Sequence, residues 1–209
     1  MRIDPAGWPF IGGAGALAVI ASFAGGSVLG LGLLVLAGFF VFFFRDPDRV
    51  VTQAAKAVLS PADGRVMVAG APTGREVPAG SWQQISIFLS AVDVHVNRMP
   101  VGGRVTRVRY HPGRFLPAYR PDAGDLNEHT EVWIDHGGQP IVVRQIVGVL
   151  ARRIVCRTKE GDEVQAGQRF GVMKFGSRMD VFVPASAEMR VKVGDRVVSA
   201  VTIIAVLAQ

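Results

Sequence analysis

The chain has 209 residues, a hydrophobic share of 49% and a formal net charge of +6. That length holds one cored domain plus an appendage and excludes two ordinary enzyme domains. A single cysteine, Cys156, excludes an internal disulfide and a thiolate metal cluster and favours a reducing compartment.

The apolar excess is concentrated at the start. No charged residue occurs from Trp8 to Phe44, and Gly25-Gly26 divides this stretch into the runs Trp8 to Ala24 and Ser27 to Phe44. Coiled at ~1.5 Å per residue, each run reaches ~25 to 27 Å, close to the ~30 Å hydrocarbon core. Two short spanning helices, or one re-entrant hairpin, are expected. Arg45, Arg49 and Lys56 follow the second run while only Arg2 precedes the first, so the positive-inside rule places the rest of the chain in the cytoplasm. The cluster Phe39, Phe40, Phe42, Phe43 and Phe44 is then expected at the cytoplasmic interface. A cleaved signal peptide over Met1 to Ala24 is the weaker reading, because another apolar run follows at once.

Beyond residue 50 the pattern changes to short runs rich in alternating or β-branched apolar residues, punctuated by glycine and proline. Strands are expected at Gln83 to Leu89, Arg104 to Tyr110, Glu131 to Asp135, Ile141 to Leu150, Ile154 to Arg157, Met179 to Val183, Met189 to Val193 and Ile203 to Leu207. The segments Gly161-Asp162-Glu163-Val164 and Gly194-Asp195-Arg196-Val197 echo one another, each a Gly-Asp turn before an apolar run. With Ser60-Pro61-Ala62-Asp63-Gly64 this echo resembles the two halves of a biotinyl/lipoyl-type barrel-sandwich. The expected architecture is a mainly β catalytic domain over 50–209 behind a transmembrane helical hairpin over 1–49.

Three Gly-Ser pairs occur, and the third, Gly176-Ser177, falls between the strand-like segments Phe170 to Phe175 and Met179 to Val183, where a plain turn would carry more polar residues. Its context, Lys174-Phe175-Gly176-Ser177-Arg178-Met179-Asp180, resembles the cleavage-site motif of the short, archaeal-type phosphatidylserine decarboxylases. Phe43-Phe44-Arg45-Asp46-Pro47-Asp48-Arg49, Ser60 to Gly64, His95 to Arg98 before Pro100, and Tyr110-His111-Pro112-Gly113-Arg114-Phe115 leading to Asn127-Glu128 are similar to further segments of that family, in the same order.

The resemblance implies a self-processing proenzyme. The Ser177 hydroxyl attacks the Gly176 carbonyl to give an ester, elimination leaves dehydroalanine, and hydrolysis yields a pyruvoyl group and ammonia. Glycine suits the position before the break because it admits a strained backbone and a close nucleophile. The products are a β chain, 1–176, and an α chain, 177–209, and no exogenous cofactor is required: the pyruvoyl ketone takes up the amine of the serine lipid and serves as its electron sink. The family's base and its orienting carboxylate carry over to His95 and Asp63. Where one branch of the family has a second histidine, three residues after the first, this chain has Arg98. The implied partners are a membrane phospholipid and the two chains of one precursor, with no nucleic acid; a homo-oligomer stays open.

On the residues alone, Asp63 reads as a turn residue, His95 as a satisfied half-buried histidine, and His111 and His136 as structural. Arg98, Arg104, Arg107, Arg109, Arg114 and Arg120 form a basic stretch from which one or two side chains serve a lipid phosphate; Arg98 and Arg114, with His129 at the headgroup, are the substrate-binding candidates. The spacing of the four histidines suggests no metal site. The rival reading is a biotin or lipoate carrier modified at Lys174 of Met173-Lys174, or a membrane-anchored lipoyl-like adaptor. Apolar neighbours of Lys174 and the absence of a long helical hairpin after residue 50 weigh against both.

Overall fold

The computed structural model describes residues 1–73, 77–149, 153–174 and 176–208, in two compact units, Met1–Asp48 and Arg49–Gln209. In the first, β1 (Arg2–Ile3) pairs with β2 (Arg45–Asp46), bracketing helices α1 (Trp8–Phe23) and α2 (Ser27–Phe43). The helices reverse at Gly25, whose φ of +82° is the left-handed conformation that glycine adopts freely. Close approach is enforced at Gly30, where a Cβ would run into the Ser22 hydroxyl. Phe23, Val28, Leu31 and Val35 leave more than half of their surface open, as lipid-facing side chains do. The helical stretch Pro5–Phe23 is long and apolar enough to cross a membrane, while Ser27–Phe43 is shorter. Phe43 and Phe44 are both fully buried, and Phe44 stacks on Phe10 at 5.5 Å.

Among the described residues, the elements of the second unit are strands apart from α3 (Ala123–Leu126). In chain order its strands are β3 (Ala57–Leu59), β4 (Gly64–Gly70), β5 (Trp82–Leu89), β6 (Val96–Arg98), β7 (Gly103–His111), β8 (His129–His136), β9 (Gln139–Ile146), β10 (Ile154–Cys156), β11 (Glu163–Val164), β12 (Arg169–Met173), β13 (Ser177–Pro184), β14 (Glu188–Met189), β15 (Arg196–Val197) and β16 (Ile203–Val206). They build an antiparallel sheet in the order β11-β7-β8-β9-β13-β5-β4-β15 and two three-stranded sheets, β10-β12-β6 and β14-β16-β3. None of these closes into a barrel among the described residues, so the observed architecture is a set of open sheets where the sequence suggested a barrel-sandwich.

The internal echo has a structural counterpart, a two-fold repeat within the large sheet. On one edge Val105 donates to Asp162 and accepts from Gly161; on the other Val66 donates to Asp195 and accepts from Gly194, all at 2.8–2.9 Å. Both turns are tied the same way, since Asp162 and Asp195 each accept a 2.9 Å bond from the backbone three residues earlier. Each half carries an irregularity after the same step, between Val105 and Arg107 and between Val66 and Val68. Each also opens on a glycine: a Cβ at Gly103 would strike the Asp135 carbonyl oxygen, and one at Gly64 that of Phe88. The expected strands occur; those from Ile154 and Ile203 end one residue early, at Cys156 and Val206, and two others are shortened by more. The run from Ile141 leaves the sheet after Ile146, and its expected end, Leu150, lies outside the described residues; Met189 to Val193 pairs only at Glu188–Met189.

Alternation decides which face is which. Val132, Ile134, Ile141, Val143, Met179, Val181, Ile85 and Ile87 point to the core, each at most 1% exposed. His129, Glu131, Trp133, Arg144, Arg178 and Asp180 therefore occupy the opposite face. Gly64→Ala and Gly103→Ala should each destabilise the β unit by about 1–3 kcal/mol, the ordinary cost of forcing an atom into a packed site, read as a lowered denaturation midpoint.

Candidate active site

Ser177 opens β13 directly after Gly176, whose φ of +76° lies in the left-handed region. Phe175, the residue before it in the motif, lies outside the described residues. Because Ser177 pairs with Leu89 and shares its face with Met179 and Val181, its side chain enters the core side of the sheet. It is fully buried, and its Oγ has no hydrogen-bond partner. An unpaired hydroxyl in such a place costs about 1–3 kcal/mol, and such groups collect where chemistry needs them.

His95 stands against the same junction. Its Nδ1 lies 2.9 Å from the Asp93 carbonyl oxygen, and a carbonyl only accepts, so Nδ1 carries the hydrogen and Nε2 presents a lone pair. That lone pair faces the Gly176 N–H at 3.4 Å. The ring is completely buried. Asp93 is a residue the sequence reading missed: its carboxylate takes the Ser90 backbone N–H and hydroxyl at 2.9 and 2.6 Å and the Arg196 guanidinium at 2.9 Å, fixing the loop that aims the imidazole. The Ser-x-x-Asp spacing of a side-chain-closed turn was its only signal.

Asp63 sits between two other partners. Its Oδ2 accepts from Arg49 at 2.7 Å and its Oδ1 from the Ser199 N–H at 2.8 Å. Burial outweighs both, and with Asp93 adding to it, the carboxyl is raised above its ordinary value. Ser199 lies just past β15, so Asp63 ties 49–63 to the segment beyond the Gly-Ser junction.

Gly148, also unforeseen, closes the other side. A Cβ there would overlap the Gly176 carbonyl oxygen, so the backbone can approach this carbonyl only because the residue is glycine. Deeper in, Gln145 donates to Asn97 at 2.8 Å, while Gln145 Oε1 and Asn97 Nδ2 have no partner, which leaves polar groups beside an otherwise apolar core.

On the reverse face, the residue after Ser177 is locked. Arg178 is 1% exposed and grips Asp180 through Nε at 2.6 Å and Nη2 at 3.0 Å, and Nη2 also meets Ser86 at 3.0 Å. Gln84 completes the set with 2.9 and 3.0 Å bonds to Ser86 and Asp180.

The remaining candidates lie elsewhere. Arg98, whose Nη1 donates to Gly167 at 3.2 Å, shares a cleft with Arg49 and Arg169 on the opposite side of β6 from Asn97. Arg114 is exposed, bridging Asn127. His129 lies on the sheet face opposite Ser177, stacked on His111 at 4.4 Å. There His111, His129 and Glu131, whose sequence spacing suggested no metal site, converge, their ligand atoms within 4.8 Å of one another. Eighteen residues of sequence separate the histidines, and only the strand register that places His111 opposite His129 unites them. Lys174 is half-buried.

A buried serine thus follows a left-handed glycine, and an oriented imidazole meets the N–H of that glycine. The family model for phosphatidylserine decarboxylase matches residues 36–205. The phosphatidylserine decarboxylase proenzyme of Symbiobacterium thermophilum is 45% identical over 97% of this chain and 94% of its own length. Those of Nitrosomonas europaea and Geotalea uraniireducens are each 42% identical, over 95% and 96% of this chain and 92% and 94% of their own. The chain belongs to the phosphatidylserine decarboxylase family.

Asp180→Ala should cost about 3–5 kcal/mol in chemical denaturation, because it leaves the Arg178 guanidinium buried without its counter-charge.

Proposed function

We propose that this protein is a proenzyme that breaks its own chain between Gly176 and Ser177 and then decarboxylates phosphatidylserine to phosphatidylethanolamine and carbon dioxide. The observation that carries the reading is the buried, unpartnered Ser177 hydroxyl next to a left-handed glycine, with the His95 Nε2 lone pair facing the N–H of that glycine. The membership of the family, whose relatives carry the name proenzyme, supports it.

In this reading His95 takes the proton from Ser177 Oγ, and Asp93 holds the ring in the tautomer that can do so. The Oγ–carbonyl bond forms as the Gly176–Ser177 amide bond breaks and the proton passes to the Ser177 amine; elimination across Cα–Cβ of residue 177 then frees the Gly176 carboxylate and leaves dehydroalanine, which water hydrolyses to the pyruvoyl group and ammonia. Gly148 admits the crowding around the Gly176 carbonyl, and the Arg178–Asp180 pair keeps the nucleophile's strand from moving with the departing segment. Asp63 braces the same region through Arg49 and Ser199. The residues present fit a pyruvoyl group at position 177, since its precursor hydroxyl is already desolvated there. That group supplies an electron sink for the carboxylate lost from the substrate. The buried His95 then holds or moves a proton at the same position, and Arg98 and Arg114 are the candidates for the lipid phosphate.

Ser177→Ala should give one uncut chain of full mass without decarboxylase activity, and His95→Ala should slow the break while the protein stays folded. Intact-mass analysis reads both: two fragments from Ser177→Ala at the same junction would defeat the mechanism, and normal cleavage in His95→Ala would remove the imidazole from it.

The helical hairpin is the proposed membrane anchor, with the β unit on the cytoplasmic face, because Arg45, Arg49 and Lys56 resist translocation. Reporter fusions at the C-terminus should be active inside the cell, and a cysteine placed near Gly25 should react with an impermeant reagent from outside. Activity of the C-terminal reporter outside would reverse the topology; protection of the Gly25 site would make the hairpin re-entrant.

A further inference from the structure

The sheet face turned away from Ser177 carries a second group of chemistry-bearing side chains that processing does not use. We propose that His111, His129 and Glu131 bind one divalent transition-metal ion of the zinc class.

Register explains the convergence. His111 and His129 are direct partners across β7 and β8, and Glu131 follows His129 by two, so all three project from one face. Their ligand atoms fall within 4.8 Å of one another.

Tautomers decide what the cluster can hold. The Nδ1 of His129 lies 2.9 Å from the Asn127 carbonyl oxygen and must donate to it, which leaves Nε2 as an acceptor. That Nε2 is buried with no partner, in a residue 2% exposed. An imidazole fixed through one nitrogen by a backbone carbonyl, with the other lone pair free, is the usual state of a metal-ligating histidine. The Nε2 of His111 is likewise buried without a hydrogen bond; its 3.6 Å approach to Glu131 Oε2 is too long for one. A neutral imidazole offering its lone pair repels an anion and attracts a cation, so the arginines nearby do not make this a phosphate pocket.

The carboxylate is prepared for the same role. Arg144 holds Glu131 Oε1 through Nε at 3.1 Å and Nη2 at 2.6 Å, leaving Oε2 toward the histidines with only a 3.4 Å contact from Trp133 Nε1. Burial works against the Glu131 charge, and the Arg144 bonds and charge outweigh it, so the group stays ionised below its ordinary range. For His129, burial comes first among the influences that lower its proton affinity, with Arg144 and His111 adding to it. Both directions favour the deprotonated form that coordination requires.

Two imidazoles and one carboxylate are a zinc-type donor set that leaves a fourth position open. The cleft lined by Arg107, Arg109, His111, Glu131 and Trp133 gives an ion its entry. One adjustment is needed. The rings are 11° from parallel at a 4.4 Å separation, and two rings sharing an ion in their planes cannot stay stacked, so the His111 ring turns about its broad χ2 torsion on loading while His129 keeps its Asn127 bond.

Tag-free, chelator-stripped full-length protein in detergent, titrated with zinc chloride in a calorimeter, should take up one ion per chain. Cobalt chloride should produce the intense visible absorption of a four-coordinate site. His129→Ala and Glu131→Gln should each weaken zinc binding by more than tenfold, since even supporting residues around metal sites cost 10–100-fold. Ser177→Ala should bind zinc as the unaltered sequence does, which separates this site from processing. Absence of saturable zinc uptake by the unaltered protein overturns the proposal without reliance on any variant, and so does equal affinity in both cluster variants.

Discussion

Strand β13 is hydrogen-bonded on both sides, to β9 through residues 178–182 and to β5 along its whole length. This double ladder fixes the first residue of the strand, Ser177, against Leu89, and alternation then sends its hydroxyl into the core. A serine on an edge strand or in a loop would keep its hydroxyl in water, hydrogen-bonded and unreactive. The rest of the site follows from that placement: the Asp93-bound His95 and the Gly148 approach both meet Gly176, at a point set by sheet pairing.

The two faces of β13 divide the labour. The core face is apolar beyond Ser177, with Met179, Val181 and Val183 fully buried, each such side chain worth ~1.5–3 kcal/mol. The other face buries the Arg178–Asp180 pair with Gln84 and Ser86, where almost every polar atom is matched. Buried ions add little net stability but penalise any shift that separates them. A slip of one residue would turn Arg178 and Asp180 into the apolar core, so the pair specifies the register on which the Ser177 position depends.

Much of this was legible from the residues. The charge-free runs either side of Gly25-Gly26 marked the two helices, and alternation marked β5, β7 and β8 within a residue or two. The Gly176-Ser177 context singled out the junction now proposed as the break. The repeated Gly-Asp turns were visible, but their reading as a barrel-sandwich was not, since which strands pair across 60 residues or more is settled by tertiary packing that no local pattern encodes. Asp93 and Gly148 escaped for a similar reason: one acts through its backbone carbonyl, which carries no residue-type signal, and the other through the absence of an atom. The His111–His129–Glu131 cluster was hidden by chain distance, and became visible only with the β7–β8 register.

The central position of β13 has a further consequence once the proposed break is made. The segment from Ser177 onward supplies β13, β14, β15 and β16, contributing strands to two sheets, including the middle and one edge of the large one. Before the break, these strands return to their places as part of one chain, at an effective concentration set by loop closure. Afterwards they belong to a separate molecule, and unfolding releases two bodies in place of one. Stability of the mature form then depends on protein concentration, as in an obligate heterodimer, and dilution after denaturation leaves the small partner to find the large one by diffusion. Folding must therefore precede scission, and the mature assembly persists by the slowness of its unfolding more than by its capacity to re-form.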